Sequence, residues 1–185
     1  SIVMLAVLVC GLLTIWLVIP PTQPANAATI SVLASGTNLS IYSAVTVISN
    51  TTVVAYADGG AQDLFVAICS QPACTTSTVR TLDANVSAGL PDIAAVGNNP
   101  IVAYHDTVNH DIKIAACSDS TCASAAVVNT IPAAGDTDYP AIVVAGGLPV
   151  IAYREGDSLT GVLKVAACTN STCSSPMTIT TVDST

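Results

Sequence analysis

One block of residues, written three times, constrains this chain more than anything else in it. Its cleanest copy is Ile151-Ala152-Tyr153, an acid at Glu155, then Val165-Ala166-Ala167-Cys168 and, four residues on, Cys173. The earlier copies are Val102-Ala103-Tyr104 with Asp106, Ile114-Ala115-Ala116-Cys117 and Cys122, and Val54-Ala55-Tyr56 with Asp58, Val66-Ala67-Ile68-Cys69 and Cys74. Self-similarity at a period of about fifty residues marks an architecture in which each unit stacks on the next to complete a core.

The spacing of the cysteines sets the compartment. Six of the seven fall into Cys-x4-Cys pairs, Cys69 with Cys74, Cys117 with Cys122 and Cys168 with Cys173. Zinc ligands also come in close pairs, but three pairs on separate repeats lie apart, and no set of histidines accompanies them. The pairs are read as local disulfides clipping tight turns, which places the folded part in an oxidising, extracytoplasmic compartment. Only 9% of residues are charged, with a formal net charge of −8. Four basic residues cannot neutralise a phosphate backbone, so nucleic acid is excluded as a partner.

Within each repeat, brief β-prone runs alternate with turn residues. In the third they are Ala141–Val144, Pro149–Arg154, Val162–Ala167 and Met177–Val182; in the second Asp92–Val96, Pro100–Tyr104, Ile112–Ala116 and Ala125–Ile131; in the first Ala44–Ile48, Thr52–Tyr56, Leu64–Ile68 and Thr76–Leu82. Four short antiparallel strands per unit describe the blade of a β-propeller, so the expected class is all-β, an array of four-stranded antiparallel blades. Thr29–Leu33 aligns with Thr178–Val182 as a further outer strand. Three blades cannot close a ring, and Val182-Asp183-Ser184-Thr185 reads as the lead-in to another blade.

The first nineteen residues are almost wholly apolar and end at Pro20-Pro21. A helix there would roughly cross a bilayer core of ~30 Å, and Ile2–Ile19 is expected to anchor the chain; as a signal peptide it would be cut after Ala27, at Ala25-Asn26-Ala27. The expected organisation is a helix over 1–20, a Pro/Ala linker over 21–28, and repeats over 29–77, 78–126 and 127–177 followed by an outer strand at 178–185.

The pattern Leu148-Pro149-Val150-Ile151-Ala152-Tyr153, acid, Leu163-Lys164-Val165-Ala166-Ala167-Cys168, x4, Cys173, Thr178-Ile179-Thr180-Thr181-Val182-Asp183 resembles repeats in secreted and cell-surface bacterial β-propeller-like proteins. The resemblance covers Thr29–Thr185 and implies architecture, with no catalytic residue to carry over. The Asp-box of sialidases, Ser-x-Asp-x-Gly-x-x-Trp, does not occur, and the single tryptophan, Trp16, lies in the N-terminal segment.

The densest polar cluster is His105-Asp106-Thr107-Val108-Asn109-His110-Asp111, where two imidazoles and two carboxylates are weak candidates to hold a metal ion or move protons. The competing reading is a solvated loop whose Asp and Asn satisfy turn amides. Asp58, Asp106 and Glu155 recur, and recurrence points to a structural role in capping the loop, whereas His105 is Ala57 and Arg154 elsewhere. Asp136-Thr137-Asp138 and Glu155-Gly156-Asp157 offer oxygen ligands without the alternation of a dedicated calcium loop. Tyr56, Tyr104 and Tyr153 end equivalent strands and are expected to pack between blades with their hydroxyls at the wet rim. No cofactor motif is present. The expected function is a non-enzymatic extracytoplasmic binding or scaffold domain, membrane-anchored or secreted, presenting a face to a protein or glycan ligand. The alternatives are an accessory subunit of a larger membrane complex and a fragment of a glycan-acting hydrolase or lyase.

Overall fold

A computed structural model describes residues 5–6, 16–17, 32, 39–58, 62–157, 159–174 and 176–184. The chain divides into two compact units, Ser1–Ile30 and Ser31–Thr185. In the first, β1 (Leu5–Ala6) pairs antiparallel with β2 (Trp16–Leu17), Leu5 facing Leu17 and Ala6 facing Trp16. These four residues are strand where a helix over 1–20 was expected. The rest of that span, the 21–28 linker and all but Val32 of the outer strand expected at Thr29–Leu33 lie outside the described residues. Among the described residues no helix is long and apolar enough to cross a membrane.

Among its described residues the second unit is all β, with three four-stranded antiparallel sheets, each built from strands in sequence order, as propeller-type blades are. Blade 1 is β3 (Leu39–Ile48), β4 (Thr51–Asp58), β5 (Asp63–Cys69) and β6 (Ser77–Asp83). Blade 2 is β7 (Ala88–Val96), β8 (Asn99–Asp106), β9 (Asp111–Ala116) and β10 (Val127–Thr130). Blade 3 is β11 (Thr137–Ala145), β12 (Leu148–Glu155), β13 (Val162–Cys168) and β14 (Met177–Asp183). Each blade ends after its outer strand, at Asp83, Thr130 and Asp183, because the cysteine turn joins the third strand to the fourth and keeps both in one sheet.

The first strand of every blade begins earlier than its apolar run suggests. Pairing is continuous from Asp92↔Ala103 and from Ala141↔Ala152, then skips, and resumes at Gly89↔His105 and Asp138↔Arg154. The skipped residues are Leu90-Pro91 and Tyr139-Pro140, while blade 1 skips between Leu39 and Ser43. A bulge leaves residues outside the ladder, which is where a proline, with no N–H to donate, can sit inside a strand. Leu90 and Tyr139 take φ of 47° and 52°, a left-handed conformation uncommon for bulky residues.

Because apolar residues occupy both faces of each sheet, the core lies between blades. One cluster joins Val53, Leu64, Val66 and Leu82 of blade 1 to Val102, Tyr104, Ala115 and the Cys117–Cys122 pair of blade 2. A second joins Ile101, Ile112, Ile114 and Ile131 of blade 2 to Ile142, Ile151, Tyr153, Ala166 and the Cys168–Cys173 pair of blade 3. All three expected pairs, including Cys69–Cys74, form disulfides, with Cα–Cα separations of 4.7, 5.0 and 4.9 Å. The second cysteine of each pair adopts a left-handed backbone, and a capping side chain two residues after the first, Gln71, Asp119 or Asn170, holds the turn. The disulfides thus place the fold in an oxidising, extracytoplasmic environment. Closing so short a loop stabilises by roughly 2 kcal/mol on the chain-entropy model. Replacing Cys117 and Cys122 together by serine is expected to lower unfolding free energy by about that amount, or more through lost burial, in a denaturant titration. An unchanged midpoint would show that the bridge adds nothing to the interface it packs in.

Candidate functional site

Superposing the blades by their strand registers separates residues that repeat from residues that do not. Tyr104 and Asp106 repeat, and the structure shows what they do in blade 2. Asp106 is fully buried. It accepts hydrogen bonds from the Val108 and Asn109 amides at 3.1 Å each, from Asn109 Nδ2 at 2.8 Å and from Lys113 Nζ at 2.7 Å. Burial pushes its pKa up, but the hydrogen bonds from Lys113 and Asn109 outweigh this and hold it down at about 2. The Tyr104 hydroxyl donates to Asp83, at the end of the neighbouring blade's outer strand, and Lys113 lies 4.0 Å from the same carboxylate. Tyr, two acids and one lysine thereby tie blade 2 to blade 1.

Blade 3 repeats this arrangement with one member missing. Lys164 Nζ donates to Glu155 at 2.7 Å, but the buried Tyr153 hydroxyl and Glu155 Oε2 make no hydrogen bond. Pro132 stands where blade 1 has Asp83: both follow the outer-strand residue, Leu82 or Ile131, that packs in the core. Burial and the Glu155 charge push the Tyr153 phenol up to about 12. The hydroxyls of Tyr104 and Tyr153 therefore lie inside the blade interfaces, not at a wet rim, because each ring packs under the preceding blade's outer strand. Tyr56, half-buried, stacks on Phe65 with centroids 5.5 Å apart. Asp58 borders residues 59–61, which lie outside the described residues.

The residues that do not repeat collect at one end of the blades, around the bulged inner strands. A cleft of about 500 Å³ opens there, lined by Tyr42–Val45 from blade 1, Leu90-Pro91-Asp92 from blade 2 and Tyr139-Pro140-Ala141 from blade 3. Its single carboxylate is Asp92, where blades 1 and 3 have Ala44 and Ala141, as the pairings with Ala103, Ala55 and Ala152 establish. Asp92 Oδ2 accepts from the Ile142 amide at 2.7 Å, satisfying a donor on the next blade's edge strand, and Oδ1 accepts from the Ile93 amide at 2.9 Å. Beside the cleft, Asp138 receives Arg154 at 3.6 Å and His105 Nδ1 at 3.5 Å, and the Arg154 guanidinium lies 5.3 Å from the Tyr139 ring centre. Burial keeps the His105 pKa low, against the pull of Asp138, and its Nε2 makes no hydrogen bond.

The weak metal candidates do not converge. The rings of His105 and His110 are 6.1 Å apart, Asp106 is spent on its own loop and Lys113, and Asp111 opens β9. Among the described residues no group of three or more His, Cys, Asp or Glu is placed to hold a metal ion. Asp157 caps its own loop through the Leu159 and Thr160 amides, and Asp138 is engaged as above. Sequence reasoning singled out His105 but passed over Asp92 and Tyr139. The signal was available for Asp92, a charge interrupting an apolar run at a position that is alanine in both other repeats.

No protein-family model matches this sequence, and no curated protein matches it. Solved structures do share its fold. An α-L-arabinofuranosidase from Lactobacillus brevis aligns with a TM-score of 0.51 and 9% identity over 75% of this chain and 52% of that one. A thermostable family-43 glycoside hydrolase aligns with a TM-score of 0.55 and 11% identity over 80% of this chain and 54% of that one. The chain spans about half the length of these structures. The likeness shows a common fold, and because the structures that share it are glycoside hydrolases it overturns the expectation of a non-enzymatic binding domain. The scaffold expectation rests on the repeat and its disulfides, which dominate the sequence, while the departures from the repeat are single residues.

Two outcomes test the inter-blade chemistry. Lowering the Asp106 pKa from 3.8 to about 2 is worth about 2 kcal/mol, present above the unfolded pKa and lost as pH falls through the folded one. Asp106→Asn should therefore destabilise by about that much at neutral pH and flatten the stability profile between roughly pH 4 and 2, as thermal unfolding across that range would reveal. Pro132→Asp supplies the partner Tyr153 lacks and is expected to raise stability by about 1 kcal/mol. A lowered melting temperature would show instead that the proline's rigidity outweighs the missing hydrogen bond.

Proposed function

We propose that this chain is the blade-bearing part of an extracytoplasmic glycan-acting hydrolase, with the cleft at the bulged inner strands facing the substrate. The observation that carries the reading is the fold shared with two glycoside hydrolases. The cleft supports it independently. Three inner strands converge there, bulges re-aim their side chains, and two bulky residues hold a left-handed backbone, features that collect at functional sites. Its size suits a ligand of a few rings. Exposed Tyr42 and Tyr139 offer aromatic faces on which sugar C–H groups can stack.

Glycoside hydrolysis uses a pair of carboxylates about the scissile bond, one giving a proton to the leaving oxygen, the other activating water or attacking the sugar. Asp92 and Asp138 are the acids carried by the described inner strands. Asp92 lines the cleft, pinned by two amides, and is the candidate for the group facing the sugar. Asp138, beside His105 and Arg154, is the candidate for its partner. Export belongs to the same reading. The apolar Ile2–Ile19 stretch acts as a signal or anchor, supported by sequence alone, while the disulfides support the compartment.

The test is hydrolysis of aryl glycosides, α-L-arabinofuranosides first, with Asp92→Asn and Asp138→Asn alongside. The wild-type chain should release the aryl alcohol, and Asp92→Asn should lower kcat/KM by a factor of about 100 or more while far-UV circular dichroism stays unchanged. Full activity in Asp92→Asn, or none in the wild type across the panel, sinks the reading.

A further inference from the structure

We infer that His105 of blade 2 positions Asp138 of blade 3, so that the aim of one acid beside the cleft follows the proton on an imidazole across the blade interface. The functional half of this inference rests on Asp138 serving the proposed hydrolase; the contact itself does not.

Strand register brings the two residues together. Within its own sheet His105 pairs with Gly89, which offers no side chain to hold an imidazole, whereas the equivalent Arg154 pairs with Asp138. The partner of His105 therefore comes from the next blade. Its Nδ1 lies 3.5 Å from Asp138 Oδ1, and Arg154 Nη2 lies 3.6 Å from Oδ2. One carboxylate is thus shared between a permanent cation on its own blade and a titratable group on the neighbouring one.

The chain around Asp138 is fixed to blade 2 on one side and to the cleft on the other. Thr137, 1% exposed, donates from its amide and hydroxyl to the His110 carbonyl, at 2.7 and 3.1 Å. Asp138 Oδ1 accepts from the Tyr139 amide at 2.9 Å, inside the bulge that lines the cleft. With the backbone held, a change of charge at His105 is answered by the tilt of the carboxylate between its two partners.

The imidazole is built to hold a second proton weakly. His105 is 8% exposed, and the carboxylate beside Nδ1 favours the tautomer with its hydrogen there. A second proton goes to Nε2, which is buried with no acceptor. Burial holds the pKa below its ordinary 6.5 and His110 adds to this, while Asp138, Asp106 and Asp111 oppose it. Arg154, beyond Asp138, is the cation facing this group from blade 3. At neutral pH the imidazole is uncharged and Asp138 answers to Arg154. As pH falls below 6.5, the imidazolium draws the carboxylate toward blade 2.

The test pairs a measurement that needs no substrate with one that does. In carbon-13 NMR of the wild-type chain, the Asp138 carboxyl signal should step below pH 6.5 together with the His105 Cε1 signal. His105→Asn puts an amide N–H where Nδ1 stands without titrating, and should abolish the step; His110→Gln should keep it. On an aryl glycoside, His105→Ala should lower kcat by a factor of about 10 with KM little changed, since it loosens an acid rather than a binding contact. His105→Asn should restore kcat at neutral pH, yet lack the wild-type fall in activity as pH drops through the His105 titration. The same pH profile in His105→Asn and wild type would mark a merely structural histidine. An Asp138 signal without the step, or a step that survives in His105→Asn, overturns the inference. A step in a chain that hydrolyses no glycoside sinks the hydrolase reading and upholds the contact.

Discussion

The structure depends on burial between blades. A four-stranded sheet with valine, isoleucine and alanine on both faces has no interior of its own, so each blade is stable only where a neighbour covers it. The recurrent features work at this boundary. The tyrosine ring passes under the preceding blade, in blade 2 its hydroxyl reaches that blade's terminal acid, and the disulfide of the following blade packs into the same cluster. Buried apolar area of this kind contributes roughly 25 cal/mol per Å², and single hydrogen bonds add about 1 kcal/mol, so packing dominates and the polar latch sets alignment.

The lysine between the two acids shows how the latch tolerates its own charges. Asp83 and Asp106 would repel in a low-dielectric interface, but Lys113 lies within reach of both, and Asp106 is further held by backbone amides. In blade 3 the lysine and one acid remain while the other acid is replaced by Pro132, and a tyrosine hydroxyl and a carboxylate oxygen are left without partners. The interface survives because the apolar contacts, not the polar ones, carry most of its energy.

Most of the architecture was legible because strands covered on both faces write continuous apolar runs, and the cysteine spacing marks the third-to-fourth strand turn in each copy. The bulges were not legible. Leu90-Pro91 and Tyr139-Pro140 fall outside the runs expected from Asp92 and from Ala141, since a proline argues against a strand interior unless the partner strand skips past it, and only pairing reveals that. The cleft was missed for the same reason, being made by those bulges. His105 was visible as an odd residue in the repeat, yet its contact, Asp138 of the next blade, lies across an interface that no local pattern encodes. Asp106 was read as a loop cap, and its amide contacts are those of one; its salt bridge to Lys113 spans a hairpin and follows from the strand register.

The two ends of the blades obey different rules. At the cysteine end all three blades carry the same bridge, the same left-handed second cysteine and a polar cap at the same place, so selection of residues there follows the needs of the hairpin. At the bulged end equivalent positions differ: alanine, aspartate and alanine at 44, 92 and 141; alanine, histidine and arginine at 57, 105 and 154. A molecule lying across several blades presents different groups to each, so a surface that recognises or transforms it must break the repeat where the two meet. The departures from the repeat, concentrated around one cleft, are therefore the physical trace that a site of that kind would leave, and the uniform interfaces beneath them are what lets those few positions vary without loss of the fold.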